Sequence, residues 1–200
     1  MEQTVNLITL RGALSSLPVF SHENHGRRFW RFTLEVPRLS GTVDLLPVIA
    51  DELTVLQLDP FAGQMIAVTG QVRSHNVRSD TGRHLLIFVF ATAVFVEEGE
   101  PLNQVILEGA VCKEPTYRRT PLGRQICDVM LAVPRAFHRA DYLPCILWGR
   151  TARQIADCSV GQYLQLSGRL QSRVYTKLTE TGTEERTAYE ISGLTAQVLE

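Results

Sequence analysis

Asn6-Leu-Ile-Thr-Leu-Arg-Gly12 opens a run of alternating polarity near the start of the chain, and Asn103-Gln-Val-Ile-Leu-Glu-Gly109 opens another one 97 positions later. The same shift carries Gly26-Arg27 onto Gly123-Arg124 and Leu34-Glu-Val-Pro-Arg38 onto Leu131-Ala-Val-Pro-Arg135. It also carries Asp44-Leu-Leu-Pro47 onto Asp141-Tyr-Leu-Pro144. After one inserted residue, Gly63-Gln64 and Gly70-Gln71 match Gly161-Gln162 and Gly168-Arg169, and Thr92-Ala93 finally matches Thr195-Ala196. A shift kept across most of both halves makes the chain a tandem repeat. Residues 1–98 and 99–200 are read as two domains, and the polar stretch 97–101, with its Gly and Pro, as the linker.

Composition narrows the class. An apolar content of 44% with 20% charged residues describes a soluble globular chain. No apolar run approaches the ~18 residues of a spanning helix, and residues 1–7 lack the basic and apolar regions of a signal peptide. The expectation is a cytoplasmic protein with no membrane association. All four cysteines (Cys112, Cys127, Cys145, Cys158) lie in the second half with no C-x-x-C spacing, which points to reduced thiols and away from zinc. Net charge is −1, but 18 of the 20 basic residues are Arg, the planar cation that pairs with phosphate and stacks on rings. The first half holds 8 basic against 10 acidic residues and the second 12 against 11, so the second is the less acidic.

Both halves read as short alternating strands bounded by Gly, Pro, Asn and Asp. In the second half strands are expected near 103–112, 124–134, 142–148, 162–175 and 187–199. Ala152, Ile155 and Ala156 set a short helix over 151–158. Five strands with at most one short helix after the third is the pattern of a Greek-key barrel, so the fold class is all-β with two tandem OB-fold barrels. Residues 179–186 read as a solvated hairpin tip.

Strand parity then picks out a face. Leu143, Cys145 and Leu147 form one side of the third strand of the second half, leaving Tyr142 and Trp148 on the other. In the fourth, Leu164, Leu166, Leu170 and Val174 are expected inward and Gln165, Arg169, Gln171, Arg173 and Tyr175 outward. Arginines beside aromatic rings on one surface hold a flexible nucleic-acid strand, the cations tracking phosphates and the rings stacking on bases.

The second half resembles the bacterial single-stranded-DNA-binding protein family along its full length. The resemblance rests on NQVILEGAVCKEPTYRRTPLGR at 103–124, DVMLAVPRAF at 128–137, PCILWGRTARQIADCSVGQYLQLSGRLQSRVYTK at 144–177 and the closing YEISGLTAQVLE. It implies stacking rings at Phe137, Tyr142, Trp148 and Tyr175. The cations expected with them are Arg118, Arg119, Arg124, Arg135, Arg139, Arg169, Arg173 and Lys177. It also implies single-stranded DNA as the partner, bound without sequence preference in replication, repair or recombination, no cofactor, and a homodimer that assembles four OB domains. Members of the family typically close on a flexible segment with an acidic tip that recruits partner enzymes; this sequence ends at Gln197-Val-Leu-Glu200, so no such tip is expected. Two other readings stay open: an OB-fold protein-interaction module of a replication or mobile-element complex, and a single-stranded RNA binder.

The first half departs from the pattern. Ser40, Leu45 and Asp51 stand where Phe137, Tyr142 and Trp148 stand in the second, and Tyr175 falls near Val77. Its cluster Phe29, Trp30 and Phe32 reads as core, while Arg27, Arg28 and Arg31 could meet phosphates. His22-Glu-Asn-His25 has no third ligand in view, and no phosphate loop, nucleophile elbow or zinc-protease motif occurs. The expectation is a binder with no metal and no catalytic residues.

Overall fold

The computed structural model describes residues 5–58, 60–79, 82–179 and 182–199. The first half contributes β1 (Asn6–Asn24), β2 (Arg27–Pro37), β3 (Val43–Asp51), α1 (Glu52–Leu56), β4 (Met65–Ser79) and β5 (Gly82–Val96). The second contributes β6 (Leu102–Val111), β7 (Thr116–Arg119), β8 (Gln125–Arg135), β9 (Arg139–Trp148), α2 (Gly149–Ile155), β10 (Tyr163–Thr179) and β11 (Gly182–Leu199). Pairings close one barrel through β1-β2-β3-β5-β4 and back to β1, and a second through β6-β8-β9-β11-β10 and back to β6. In each the third and fifth strands pair in parallel, β3 with β5 and β9 with β11, and every other pairing is antiparallel.

Alternation builds both cores. Ile8, Leu10 and Leu14 of β1, Phe32, Leu34 and Val36 of β2, and Val105, Leu107 and Val111 of β6 point inward and are buried. The repeated glycines mark where one strand must serve two neighbours. A Cβ at Gly12 would lie 2.4 Å from Glu35 O, and one at Gly168, beside the β-bulge at Ser167, 2.2 Å from Ser192 O. The repeated opening asparagines extend a ladder past its last backbone bond. Asn6 Nδ2 donates to Val72 O while Val72 N donates back to Asn6 Oδ1, both at 2.9 Å. Asn103 does the same with Leu170, at 2.7 and 3.0 Å.

The two barrels are continuous. β1 and β6 pair antiparallel from Asn6↔Leu107 to Arg11↔Leu102, so the outer sheet runs through both halves. Two buried aspartates at equivalent repeat positions then cross over. Asp44 accepts from Ser172 N at 2.7 Å and Ser172 Oγ at 2.9 Å, while Asp141 accepts from Ser74 N at 2.7 Å. Arg38 holds Asp44 through two bonds, at 2.8 and 2.6 Å, and also donates to Ser172 O. Arg73 and Arg135 hold Asp141 at 3.0 and 3.3 Å. Each barrel thus grips the long hairpin of the other at the same place. Arg11 pins the linker, pairing with Glu97 and donating to Glu100 O.

Several sequence expectations are corrected. Val174, expected inward, is 63% exposed, because it lies past Ser172, the point at which the first half holds the β10–β11 hairpin. Gln171, expected outward, is buried and donates to Glu190 Oε1 at 2.9 Å. Residues 116–119, outside every expected strand, form β7 by pairing with β8. The helix runs over Gly149–Ile155 and does not reach Cys158. β11 begins at Gly182, so Glu184, Glu185 and Arg186 are strand and not hairpin tip; residues 180 and 181 of that tip lie outside the described residues. No helix among the described residues is long and apolar enough to cross a membrane.

Candidate nucleic-acid interface

β9 positions two of the expected rings as its parity requires. Leu143, Cys145 and Leu147 are buried, while Tyr142 stands 44% and Trp148 37% exposed. Trp148 ends the strand, and its indole Nε1–H donates to Ser192 Oγ of β11 at 3.1 Å, which fixes the ring while leaving a face to solvent. Opposite Ser192 on β10 is Arg169, and the same face continues through Gln171 and Arg173 to Tyr175, opposite Glu190, Ala188 and Arg186. Tyr175 is 37% exposed, with the Arg173 guanidinium 5.7 Å from its ring centroid. Arg173 is itself well exposed, its nearest acid oxygen, on Glu190, being 3.9 Å away. Strand register therefore places Trp148, Arg173 and Tyr175 on the same face of β9, β10 and β11, with Arg169 and buried Gln171 between them.

The other expected residues are spread around it. Phe137 is 91% exposed in the β8–β9 turn, where it and His138 both take positive φ, +60° and +53°. Positive φ is uncommon for residues other than Gly and holds this ring in a tight, outward turn. Arg139 is exposed at the start of β9, and Arg119 and Arg124 flank the turn between β7 and β8, where Thr120 Oγ1 accepts from Arg124 N. Arg118 is paired with Asp128 at 2.7 Å, and this bond raises its pKa. Arg135 is tied to Asp141, and Arg169 lies in a cleft of about 500 Å³ with Val36, Pro37, Leu39, Glu100 and Pro101, its Nε buried without a hydrogen-bond partner. Lys177 sits in β10 opposite Glu184, but its side chain lies outside the described residues.

Two further exposed rings occupy equivalent strand positions in the two halves. Tyr117, 38% exposed on β7 between Thr116 and Arg118, is one. Phe20, 47% exposed on β1, is the other. They correspond under the 97-residue shift, and so do their strand partners Trp30 and Cys127. That shared register was the signal available to find them. In the first half, Phe29 and Phe32 are buried as expected and Trp30 is partly buried, edge-on to Phe20 at 6.3 Å. Arg27 and Arg28 are already paired with Asp51 and Glu52, and Arg31 is exposed. Asp51, at the place of Trp148, caps α1; the Thr54 N–H, then its hydroxyl and Arg27, hold its carboxyl below the usual range despite partial burial.

The model of the single-strand binding protein family matches residues 102–199. Single-stranded DNA-binding protein B of Bacillus subtilis is 41% identical over 80 residues, covering 36% of this chain and 71% of that protein. The chain belongs to the single-strand binding protein family. The single-stranded DNA-binding protein of Bacillus cereus is 37% identical over 81 residues, covering 37% of this chain, and the match spans about half of that relative's length (48%). The wild-type single-stranded DNA binding protein from Thermus aquaticus superposes with a TM-score of 0.81 at 22% identity, covering 99% of this chain and 94% of that one. The two-barrel fold, first half included, is therefore one already seen in a solved structure.

Proposed function

We propose that the chain binds single-stranded DNA with little sequence preference, by stacking bases on Tyr142, Trp148, Tyr175 and Phe137 and neutralising phosphates with arginine. The observation that carries this reading is the shared face of β9, β10 and β11, which exposes Trp148 at one end and Arg173 with Tyr175 at the other. A ring anchored at its polar edge and open on one face loses little entropy when a base stacks on it, and each such stack contributes about 1–3 kcal/mol. Arg119 and Arg124 at the β7–β8 turn and Arg139 at the start of β9 are exposed and would supply the cations. The groups present favour backbone tracking and stacking over base-edge readout.

We further infer that residues 1–98 and 99–200 act as two domains, with the ring platform on the second. The inferred setting is the cytoplasm, in replication, repair or recombination, as a binder and not an enzyme. Two chains together would present four barrels. Leu7 and Ile106, paired across the β1–β6 junction and 42% and 40% exposed, favour the outer sheet as the face where two copies meet. The test is titration of labelled oligo(dT), oligo(rU) and duplex of equal length, followed by anisotropy and tryptophan fluorescence. Tight, quenching binding of oligo(dT) with weaker duplex binding is expected. Preference for oligo(rU) would make the ligand RNA, and no binding of any of them would overturn the reading.

A further inference from the structure

The first half reaches into the proposed site. Its long β4–β5 hairpin crosses β9 of the second half beside Tyr142. Ser74 Oγ accepts the Tyr142 N–H at 2.8 Å, and Ser74 N donates to Asp141 at 2.7 Å, so one serine clasps two consecutive residues of β9. Arg73, packed over the Phe90 ring, adds a bond to Asp141 at 3.0 Å. At the equivalent place in the other crossing, Asp44 is followed by Leu45 and not by a ring. The two crossings are alike in their aspartate and serine and differ in what they present.

We propose that β4 residues 73–78 form one wall of the second half's DNA groove, with Ser74 positioning Tyr142 and Arg78 continuing the cation track. This rests on the reading of that surface as a single-stranded DNA site. Alternation places Asn76 and Arg78 on the same face of β4 as Ser74. Both are exposed, and among the described residues neither side chain has a hydrogen-bond or ion-pair partner. At about 3.3 Å per residue, Arg78 lies roughly 13 Å beyond Ser74, so a strand leaving Tyr142 along the arm passes it. The first half then serves the platform without rings at its own equivalent positions.

The test uses the full chain and fluorescein-labelled oligo(dT) of graded length. Asn76→Ala/Arg78→Ala alters only exposed side chains. It should keep the melting temperature while lowering affinity several-fold on the longer oligomers. If one phosphate contact is lost, the slope of log K against log salt should shrink by about 0.7. Ser74→Ala should weaken binding at every length, and Ser74→Thr, which keeps the hydroxyl, should restore it. Asp44→Asn, which loosens the other crossing, should lower stability without this loss. An unchanged slope and affinity in the arm variant, or equal binding losses in Ser74→Ala and Asp44→Asn, would overturn the proposal. Trp148→Ala is the separate control: if it too binds as the wild type does, the fault lies with the platform itself.

Discussion

Removing the Asp44 carboxylate should show how much the crossing of the halves contributes to the fold. Asp44 is fully buried and accepts four hydrogen bonds, two from Arg38 and two from Ser172. Asp44→Ala takes the carboxylate from the Arg38 guanidinium, only 16% exposed, leaving it the bond to Ser172 O, and leaves the Ser172 N–H without an acceptor. Breaking a buried pair from one side costs about 3–5 kcal/mol. Asp44→Asn keeps an acceptor oxygen and the shape but loses the charge, a cost of about 1.5–3 kcal/mol. With a urea dependence of roughly 2 kcal/mol/M, Asp44→Ala should move the unfolding midpoint down by about 1.5–2.5 M, read by circular dichroism. Burial pushes the Asp44 carboxyl up, but the bonds from Arg38 and Ser172 outweigh it and hold the carboxyl below its ordinary range. Its folded pKa is thus lower than its unfolded one near 3.9, so its contribution is complete above about pH 4 and fades as pH falls through the folded value. The gap between wild type and Asp44→Asn should therefore shrink below pH 4 and stay level above it. An unchanged midpoint for Asp44→Ala would refute the claim that this crossing holds the halves together.

Log K for oligo(dT) should fall linearly with log salt, at about −0.7 per contacted phosphate; a flat line measured by anisotropy would remove arginine neutralisation from the mechanism. Arg11→Ala frees Glu97 and the Glu100 carbonyl, so limited proteolysis should cut within 97–101 faster while both barrels stay intact; an unchanged cleavage rate would contradict the clamp. Burial pushes the Cys127 thiol up to about 11 and raises Cys145 further still. A thiol reagent at pH 8 should therefore reach half-buried Cys112 first and these two only on unfolding, and early labelling of Cys145 would contradict the packing of β9.

The sequence carried the two-barrel plan because repeat and parity are local properties. Leu143, Cys145 and Leu147 alternate against Tyr142 and Trp148, and the barrel interior enforces that alternation. The same rule failed at Val174 because parity holds only where one face is covered, and Val174 lies past Ser172, where the first half holds the hairpin. The crossing of the halves was visible only as a matched pair, Asp44 and Asp141. Their acceptor roles depend on Ser172 and Ser74, which lie 128 and 67 residues away on the opposite half. Tyr117 was hidden by the turn signals around it, Pro115 and Thr120-Pro-Leu-Gly123, since pairing with β8 and not local propensity makes that segment a strand. Arg169 is legible by charge and parity and Arg135 by charge alone, but tertiary contacts decide their surroundings: a cleft between the halves for the first, an aspartate for the second.

Stacking of bases on the second half's rings is read from oligo(dT) affinity for Trp148→Ala and Tyr175→Ala in the full chain. Each should weaken binding by about 1–3 kcal/mol, roughly five- to 150-fold, with the circular dichroism spectrum unchanged. Wild-type affinity in a folded Trp148→Ala protein would show that bases do not stack on this ring.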